Sequence, residues 1–512
     1  MRHVITLHDS IRQRLGLLVA LLLLSGCAVG PDFRAPDAPG ANGYTPEPLP
    51  AHTRSTETPA GAAQEFSVGA ALPADWWTLF HCEALDALVR GGLRDSPTLA
   101  AAQAALRGAQ ATQQAQQASL FVPGVDGSLG ATRERVTGAQ FGQPNVAAST
   151  FTLYSATVAV SYRLDLFGGS RRLLEAYRAQ TDYQRAELEA AYLTLTANLV
   201  TTAVAEASAR GQLSAIEDAL TSERAVLAIV ERRFAAGAVS RTDVLAQRTQ
   251  VAQTEALAPA LKKALTQSRH RLAILSGRTP DVADLPTFAL EDFTLPSQLP
   301  VSLPSALVRQ RPDIQAAEAL LHQASAEVGV ATANLYPQIN LSGSLGSESV
   351  MLGSLFGAGT SFWTLGGSLT QPLFHGGALT ARRRAAIANL DQAAATYRQV
   401  VLSAFGDVAD TLHALDNDAD ALRAAADVAA AAQATFDLTR HQYDAGGVSY
   451  LTLLNAQRQY HEARQGRVRA VAARYADTAA LFQALGGGWW NRGAPIAAVD
   501  PTDGHPAAIP SP

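Results

Sequence analysis

The chain has 512 residues, is 47% hydrophobic, and sets 40 basic against 45 acidic side chains for a formal net charge of −5. That length admits several domains or one elongated one, and the charge excludes a nucleic-acid binder held by phosphate contacts. Lys262 and Lys263 are the only lysines, and no Gly-Lys pair exists to build a phosphate-cradling Walker loop, so nucleotide hydrolysis by that route is excluded as well.

Residues 1–26 read as a signal peptide. Arg2, Arg12 and Arg14 form its basic end, and Leu15 to Leu24 form an apolar run too short to span a bilayer stably. The signal ends in Leu24-Ser25-Gly26-Cys27, which resembles the bacterial lipoprotein box. The resemblance implies that the Cys27 thiol is acylated and that Cys27 becomes the new N-terminus; an ordinary signal before a coincidental cysteine is the alternative. Ala28 follows rather than aspartate, and the resemblance then points to the outer membrane. Residues 27–80 read as an acylated N-terminal tether, because 31–75 are rich in Pro, Ala, Gly and Thr without periodicity. Two cysteines cannot form a disulfide framework, and Cys82 reads as a small buried hydrophobe.

A first repeat spans 81–300. Pro97 opens a helix that ends near Phe121-Val122-Pro123. Strands follow at about 123–133 and 150–166; in the second, Tyr154, Ala156, Val158, Val160, Tyr162 and Leu164 alternate with a more polar parity. Leu166-Phe167-Gly168-Gly169 then leads into a long helix over 170–236, which lacks proline and holds one glycine, Gly211. A returning helix runs to Leu275-Ser276-Gly277.

The second repeat, 301–490, says the same again. Arg311-Pro312-Asp313-Ile314 opens a helix that ends near Leu335-Tyr336-Pro337, and strands follow at about 337–347 and 361–373. Leu373-Phe374-His375-Gly376-Gly377 introduces a long helix over 378–445, and its return ends at Leu485-Gly486-Gly487. The tail, 491–512, cannot pack and reads as disordered. Both long helices carry a 4-3-4-3 seam, from Leu188 to Phe234 and from Tyr397 to Tyr443, so helix packs on helix along its length. At 1.5 Å per residue each helix is about 100 Å long.

The stretches Phe234-Ala-Ala-Gly-Ala-Val-Ser240 and Tyr443-Asp-Ala-Gly-Gly-Val-Ser449 mark the two hairpins at the helix ends. Gly237 and Gly446 are placed to close the long helices in a left-handed cap. Ser240 and Ser449 are placed to cap the returning ones, with Ser240-x-x-Asp243 a capping box.

Four amphipathic strands cannot close a membrane barrel and open edges are not tolerated in lipid, so the chain must oligomerise; three chains of four give twelve strands. The duplicated order of helix, hairpin, long helix and returning helix behind a lipobox resembles the outer-membrane factor family of tripartite efflux systems, TolC/OprM type. Arg311-Pro312-Asp313-Ile314, the Leu-Phe-x-Gly junctions and Ala484-Leu485-Gly486-Gly487-Gly488-Trp489 are similar to its OprM/NodT lipoprotein branch. The resemblance covers about residues 27–490. It implies a mainly α fold with a membrane β-barrel portion: a homotrimer whose 12-stranded barrel continues as a 12-helix tunnel across the periplasm. It also implies a passive conduit for drugs and toxic compounds, partnered by a periplasmic adaptor (membrane fusion protein), an inner-membrane RND-type pump and outer-membrane lipid.

The family's gate lies at the periplasmic tip. By resemblance Tyr443 matches an aromatic that narrows the bore, Asp243 a gate aspartate with Arg241 beside it, and Asn455 the position of a second aspartate. An amide ring there cannot repel anions as carboxylates would. Asp243 serves equally as a cap, and Tyr443 as the last residue of its seam.

No His-Glu-x-x-His, Gly-x-Ser-x-Gly or paired-carboxylate loop argues for an enzyme, and no cofactor or metal site is expected. His441 and His461 read as solvent-facing helix positions. Met351 is the only methionine besides the initiator, so no methionine relay for copper is visible. The alternative reading is a periplasmic lipoprotein coiled coil, an adaptor or scaffold without a pore.

Overall fold

The computed structural model describes residues 28–493 apart from positions 39, 41, 42, 49, 143 and 144. The expected signal peptide 1–26, Cys27 and the tail from 494 onward lie outside the described residues. In chain order the elements are β1 (Glu65–Val68), α1 (Glu83–Asp95), α2 (Pro97–Phe121), β2 (Gly124–Val136), β3 (Ser149–Leu164), α3 (Gly169–Ala235), α4 (Arg241–Leu275), β4 (Gln298–Val301), α5 (Pro304–Gln310), α6 (Pro312–Ala333), β5 (Gln338–Ser349), β6 (Ser361–Thr370), α7 (Ala378–Asp444) and α8 (Tyr450–Ala484). The helices α3 and α7 have 67 residues each, and α4 and α8 have 35 each. Among the described residues no helix is long and apolar enough to cross a membrane.

Contacts divide the chain into two compact units. The first combines the segment up to Pro36 with Leu106–Gln184 and Ala317–Tyr397. Its centre is a four-stranded antiparallel sheet in the order β2-β3-β5-β6. The register pairs Leu129 with Ala156, Val158 with Leu345, and Leu345 with Trp363. Directly opposed residues in an antiparallel pair point to the same face. One face therefore collects Val125, Leu129, Val158, Val160, Tyr162, Leu341, Leu345, Trp363, Leu365 and Leu369, and the other collects Asp126, Ser128, Thr157, Ser161, Asn340, Ser342, Ser344, Thr364 and Ser368. Among the described residues nothing covers the apolar face: Leu129 is 82% exposed, Trp363 76% and Leu365 80%. The outer edges of β2 and β6 have no strand partner among the described residues.

At the strand-to-helix junction the Asp165 carboxylate accepts from the Ser170 and Arg171 backbone N–H groups at 3.1 and 3.0 Å. It caps α3 and places negative charge at the helix N-terminus, where the dipole favours it. The stretch read as a tether is fastened here. Val29 N–H donates to the Phe167 carbonyl at 3.1 Å, Asp32 pairs with Arg172 at 2.5 Å, and the Phe33 ring stacks on His322 at 4.2 Å. Gly30 lies so near Gly329 that a Cβ there would come within 2.4 Å of the Gly329 Cα.

The second unit joins Asp37–Ala105, Arg185–Ala316 and Arg398 to the C-terminus. Its apolar core gathers Trp76, Phe80, Leu85, Leu199, Leu299, Leu307, Leu415, Tyr475 and Phe482. More of the supposed tether packs here: β1 pairs in parallel with β4. The fully buried Arg474 of α8 donates to the carbonyls of Ala60 and Ala62 and to Thr53 Oγ1 at 2.7–2.9 Å. Cys82 is a buried free thiol, and desolvation raises its pKa.

Of the seam positions in α3, Leu188, Leu195, Leu199, Glu206, Ile216, Leu220, Glu223 and Val230 are all buried. Phe234 is a correction: it is 44% exposed, because the chain turns at Gly237 before a partner helix can cover it. A second correction concerns His461. It is half-buried rather than solvent-facing, and both ring nitrogens lack partners among the described residues. Burial first, and Arg464 second, push its pKa down to about 4, so the ring is neutral at pH 7.

Candidate functional site at the paired helix turns

The two repeated turns share one construction. After α3, Gly237 adopts φ +75°; its N–H donates to the Phe234 carbonyl at 2.9 Å, and Ala238 N–H donates to Arg233 at 2.8 Å. After α7, Gly446 adopts φ +78°, with Gly446 N–H on Tyr443 at 3.0 Å and Gly447 N–H on Gln442 at 2.8 Å. Both are Schellman closures, in which a residue without Cβ enters the left-handed region and satisfies the last helical carbonyls.

The following helices start differently. Ser240 Oγ accepts from Asp243 N–H at 3.2 Å while Asp243 Oδ2 accepts from Ser240 N–H at 2.9 Å, a complete capping box. Ser449 Oγ accepts from Thr452 N–H at 3.3 Å, but Thr452 offers no carboxylate in return. The cap at Asp243 is thus real. Arg241 and Asn455 are exposed, and neither side chain enters an ion pair or hydrogen bond among the described residues.

The structure brings the two turns together around a small core. Val230 of α3, Val244 of α4 and Tyr450 and Leu453 of α8 are buried together, with Val239, Phe436 and Tyr443 packed against them. The Tyr443 ring is half-buried. It lies 5.6 Å from that of Tyr450, and the Arg233 guanidinium sits over its face at 5.4 Å. Tyr443 therefore ends its seam and also takes a cation from the other repeat.

Behind this core lies a polar network that sequence reasoning did not assemble. Tyr450 donates from its hydroxyl to Gln247 Oε1, and Gln247 Nε2 donates to the Glu223 carbonyl at 2.8 Å. The Glu223 carboxylate, fully buried, accepts from Gln250 and Thr254 at 3.0 Å each and faces no cation among the described residues. Burial raises its pKa, with the two hydrogen bonds acting against that shift. The signal was present: a glutamate at a heptad core position needs a polar partner, and Gln250 and Thr254 stand one turn apart on the returning helix. Glu206, also on the seam, is answered by Arg210, by Arg269 at 3.6 Å and by the Phe288 N–H at 2.9 Å.

This arrangement holds two helix turns in fixed register and presents Arg241, Asn455 and Leu451 outward. Among the described residues no cluster of His, Cys, Asp and Glu is suited to a metal ion.

The family model "Outer membrane efflux protein" matches residues 88–278 and 303–487, one match over each half of the duplication. The pyoverdine export outer membrane protein OpmQ of Pseudomonas aeruginosa is 31% identical over 493 residues, covering 93% of this chain and 97% of its own. The toluene efflux pump outer membrane protein TtgI of Pseudomonas putida is 31% identical, covering 92% and 97%. Among solved structures, the outer-membrane channel OprN superposes with TM-score 0.80 at 29% identity, covering 90% of this chain and all of its own. The open-state MtrE channel of Neisseria gonorrhoeae gives TM-score 0.77 at 26% identity, covering 90% and 99%. These relatives are transport channels, which sets aside the pore-free scaffold and leaves no ground for an enzyme. With a family match over both halves and relatives aligned along nearly their whole length, the chain belongs to the outer membrane efflux protein family.

Proposed function

We propose that this chain is one third of a passive duct: a homotrimer whose three sheets close a 12-stranded barrel in the outer membrane and whose helices line a periplasmic tunnel. The two repeats, 81–300 and 301–490, each supply one strand pair and one long and one returning helix. Small molecules, drugs and toxic compounds among them, enter from an inner-membrane RND-type pump through a periplasmic adaptor. An acylated Cys27 anchors the N-terminus. The observation that carries this reading is the sheet: among the described residues one face is apolar and uncovered, the other is polar, and both edges are open. In lipid such a sheet is satisfied only by closure with copies of itself.

The helix turns form the gate in this reading. Arg241, Asp243, Tyr443 and Asn455 narrow the bore, while Gly237, Ser240, Gly446 and Ser449 fix the tips that carry them. Single-channel recording in planar bilayers tests this. Asp243→Ala and Asn455→Ala are expected to raise the basal conductance several-fold over the parent trimer. Unchanged currents in both would remove the gate from these residues.

A further inference from the structure

The internal duplication shows what an unpartnered surface lacks. Inside the chain, β3 pairs with β5. The junction that leaves β3, Leu166-Phe167, therefore lies beside the elbow that enters β5, Leu335-Tyr336-Pro337. The two are packed together: the Phe167 and Tyr336 rings stack at 4.8 Å with 20° between their planes. The second repeat has the same junction after β6, Leu373-Phe374, and the first repeat has the same elbow before β2, Phe121-Val122-Pro123. These equivalents find no counterpart among the described residues. Leu373 is 91% exposed and Phe374 87%, and on the elbow Phe121 is 36% and Val122 59% exposed.

We propose that Leu373 and Phe374 of one chain dock on the Phe121–Val122 elbow of a second copy, reproducing between chains the Phe167–Tyr336 contact made within one. This rests on the closed-barrel reading and supplies its interface in residues. The contact is heterologous: junction meets elbow, never itself, and contacts of that kind build a ring when the rotation between copies closes, as the barrel reading requires. The strand edges follow. Within the hairpins, Gly124 pairs with Ser161 as Gln338 pairs with Thr370. Carrying the Val160–Gly343 pair of β3 and β5 across by those equivalences sets Leu369 of β6 opposite Leu129 of the neighbour's β2. Both are apolar and exposed, at 64% and 82%, and both lie on the apolar face.

The test uses the full-length protein in outer membranes, with the buried Cys82 changed to Ala to remove the background thiol. Phe374→Cys combined with Val122→Cys is treated with a short bis-maleimide, and Leu369→Cys combined with Leu129→Cys is oxidised. Each pair is expected to give covalent dimer and trimer on denaturing gels, and each single cysteine monomer only. Separately, Phe374→Ala is expected to lower the temperature at which the trimer dissociates in detergent, while Phe356→Ala, equally large and 78% exposed in the β5–β6 loop, leaves it unchanged. Monomer bands from both pairs, or an unshifted Phe374→Ala trimer, overturn the docking contact while a heat-sensitive parent trimer leaves the duct standing. A parent that runs as monomer in mild detergent sinks both.

Discussion

The proposed gate asks a second duty of single residues, and Asp243 shows how that could be built on a structural one. Its carboxylate closes the capping box with Ser240 and so is already hydrogen-bonded at the place where the family resemblance sets a gate residue. Sequence spacing reveals the cap, since Ser-x-x-Asp is a local pattern, but the Arg233–Tyr443 contact joins residues far apart in sequence and has no such signature. The same holds for the charge pair behind α8. Burial first, and then the neighbouring carboxylate of Asp477 on α8, push the pKa of Asp418 on α7 up to about 7 against the opposing pull of Arg474. A raised carboxyl pKa means that the folded chain holds a proton the unfolded chain has released. The stability this provides is present in acid and is lost as pH rises through about 7. Asp418→Asn is expected to raise the melting temperature at pH 8 and to leave it near the parent value at pH 4. Circular dichroism melts in detergent at the two pH values decide it, and an equal shift at both would remove the carboxyl pair as its cause.

At the scale of elements, the long helices and the four sheet strands were legible with little error because they are written in strongly periodic segments. The helices read over 170–236 and 378–445 run from Gly169 to Ala235 and from Ala378 to Asp444. The strands, read at about 123–133, 150–166, 337–347 and 361–373, span Gly124–Val136, Ser149–Leu164, Gln338–Ser349 and Ser361–Thr370. What escaped is non-local. The pairing of β1 with β4 joins segments more than two hundred residues apart, each too short for a period to be read. The docking of residues 28–34 depends on Arg172 and His322, which nothing in a Pro- and Ala-rich stretch announces. A local rule also fails inside α4, where Pro259 sits in mid-helix without ending it. Proline removes one backbone hydrogen bond and crowds the preceding turn, at a cost of about 3 kcal/mol in a regular helix. The equivalent position in α8, 209 residues on, is Val468. Pro259→Ala is therefore expected to stabilise α4 by about 1–3 kcal/mol. Amide exchange around residues 255–263 should slow, and exchange as fast as in the parent would mean that the helix has already absorbed the defect.

For the whole molecule, the question is what holds it in the membrane. The proposed function offers two devices: acylation at Cys27, and closure of three sheets into a barrel. They differ in strength by kind. One acyl group gives marginal, reversible attachment, and even several chains on one cysteine leave the protein a guest on the surface. A closed barrel satisfies every backbone donor and acceptor within lipid and buries its whole apolar face. If the duct reading is right, the acyl group places the N-terminus and the barrel does the holding. Val29, Asp32 and Phe33 are already fixed beside the β3–α3 junction by protein contacts, without any lipid. A variant in which a cleavable, non-lipoprotein signal replaces residues 1–27 is then expected to lose incorporation of labelled palmitate and yet remain in the membrane pellet through alkaline carbonate and urea. Its trimer should dissociate within a few degrees of the parent. Release of this variant into the supernatant would show that acylation alone had been holding the protein, and the twelve-stranded barrel would have to be abandoned.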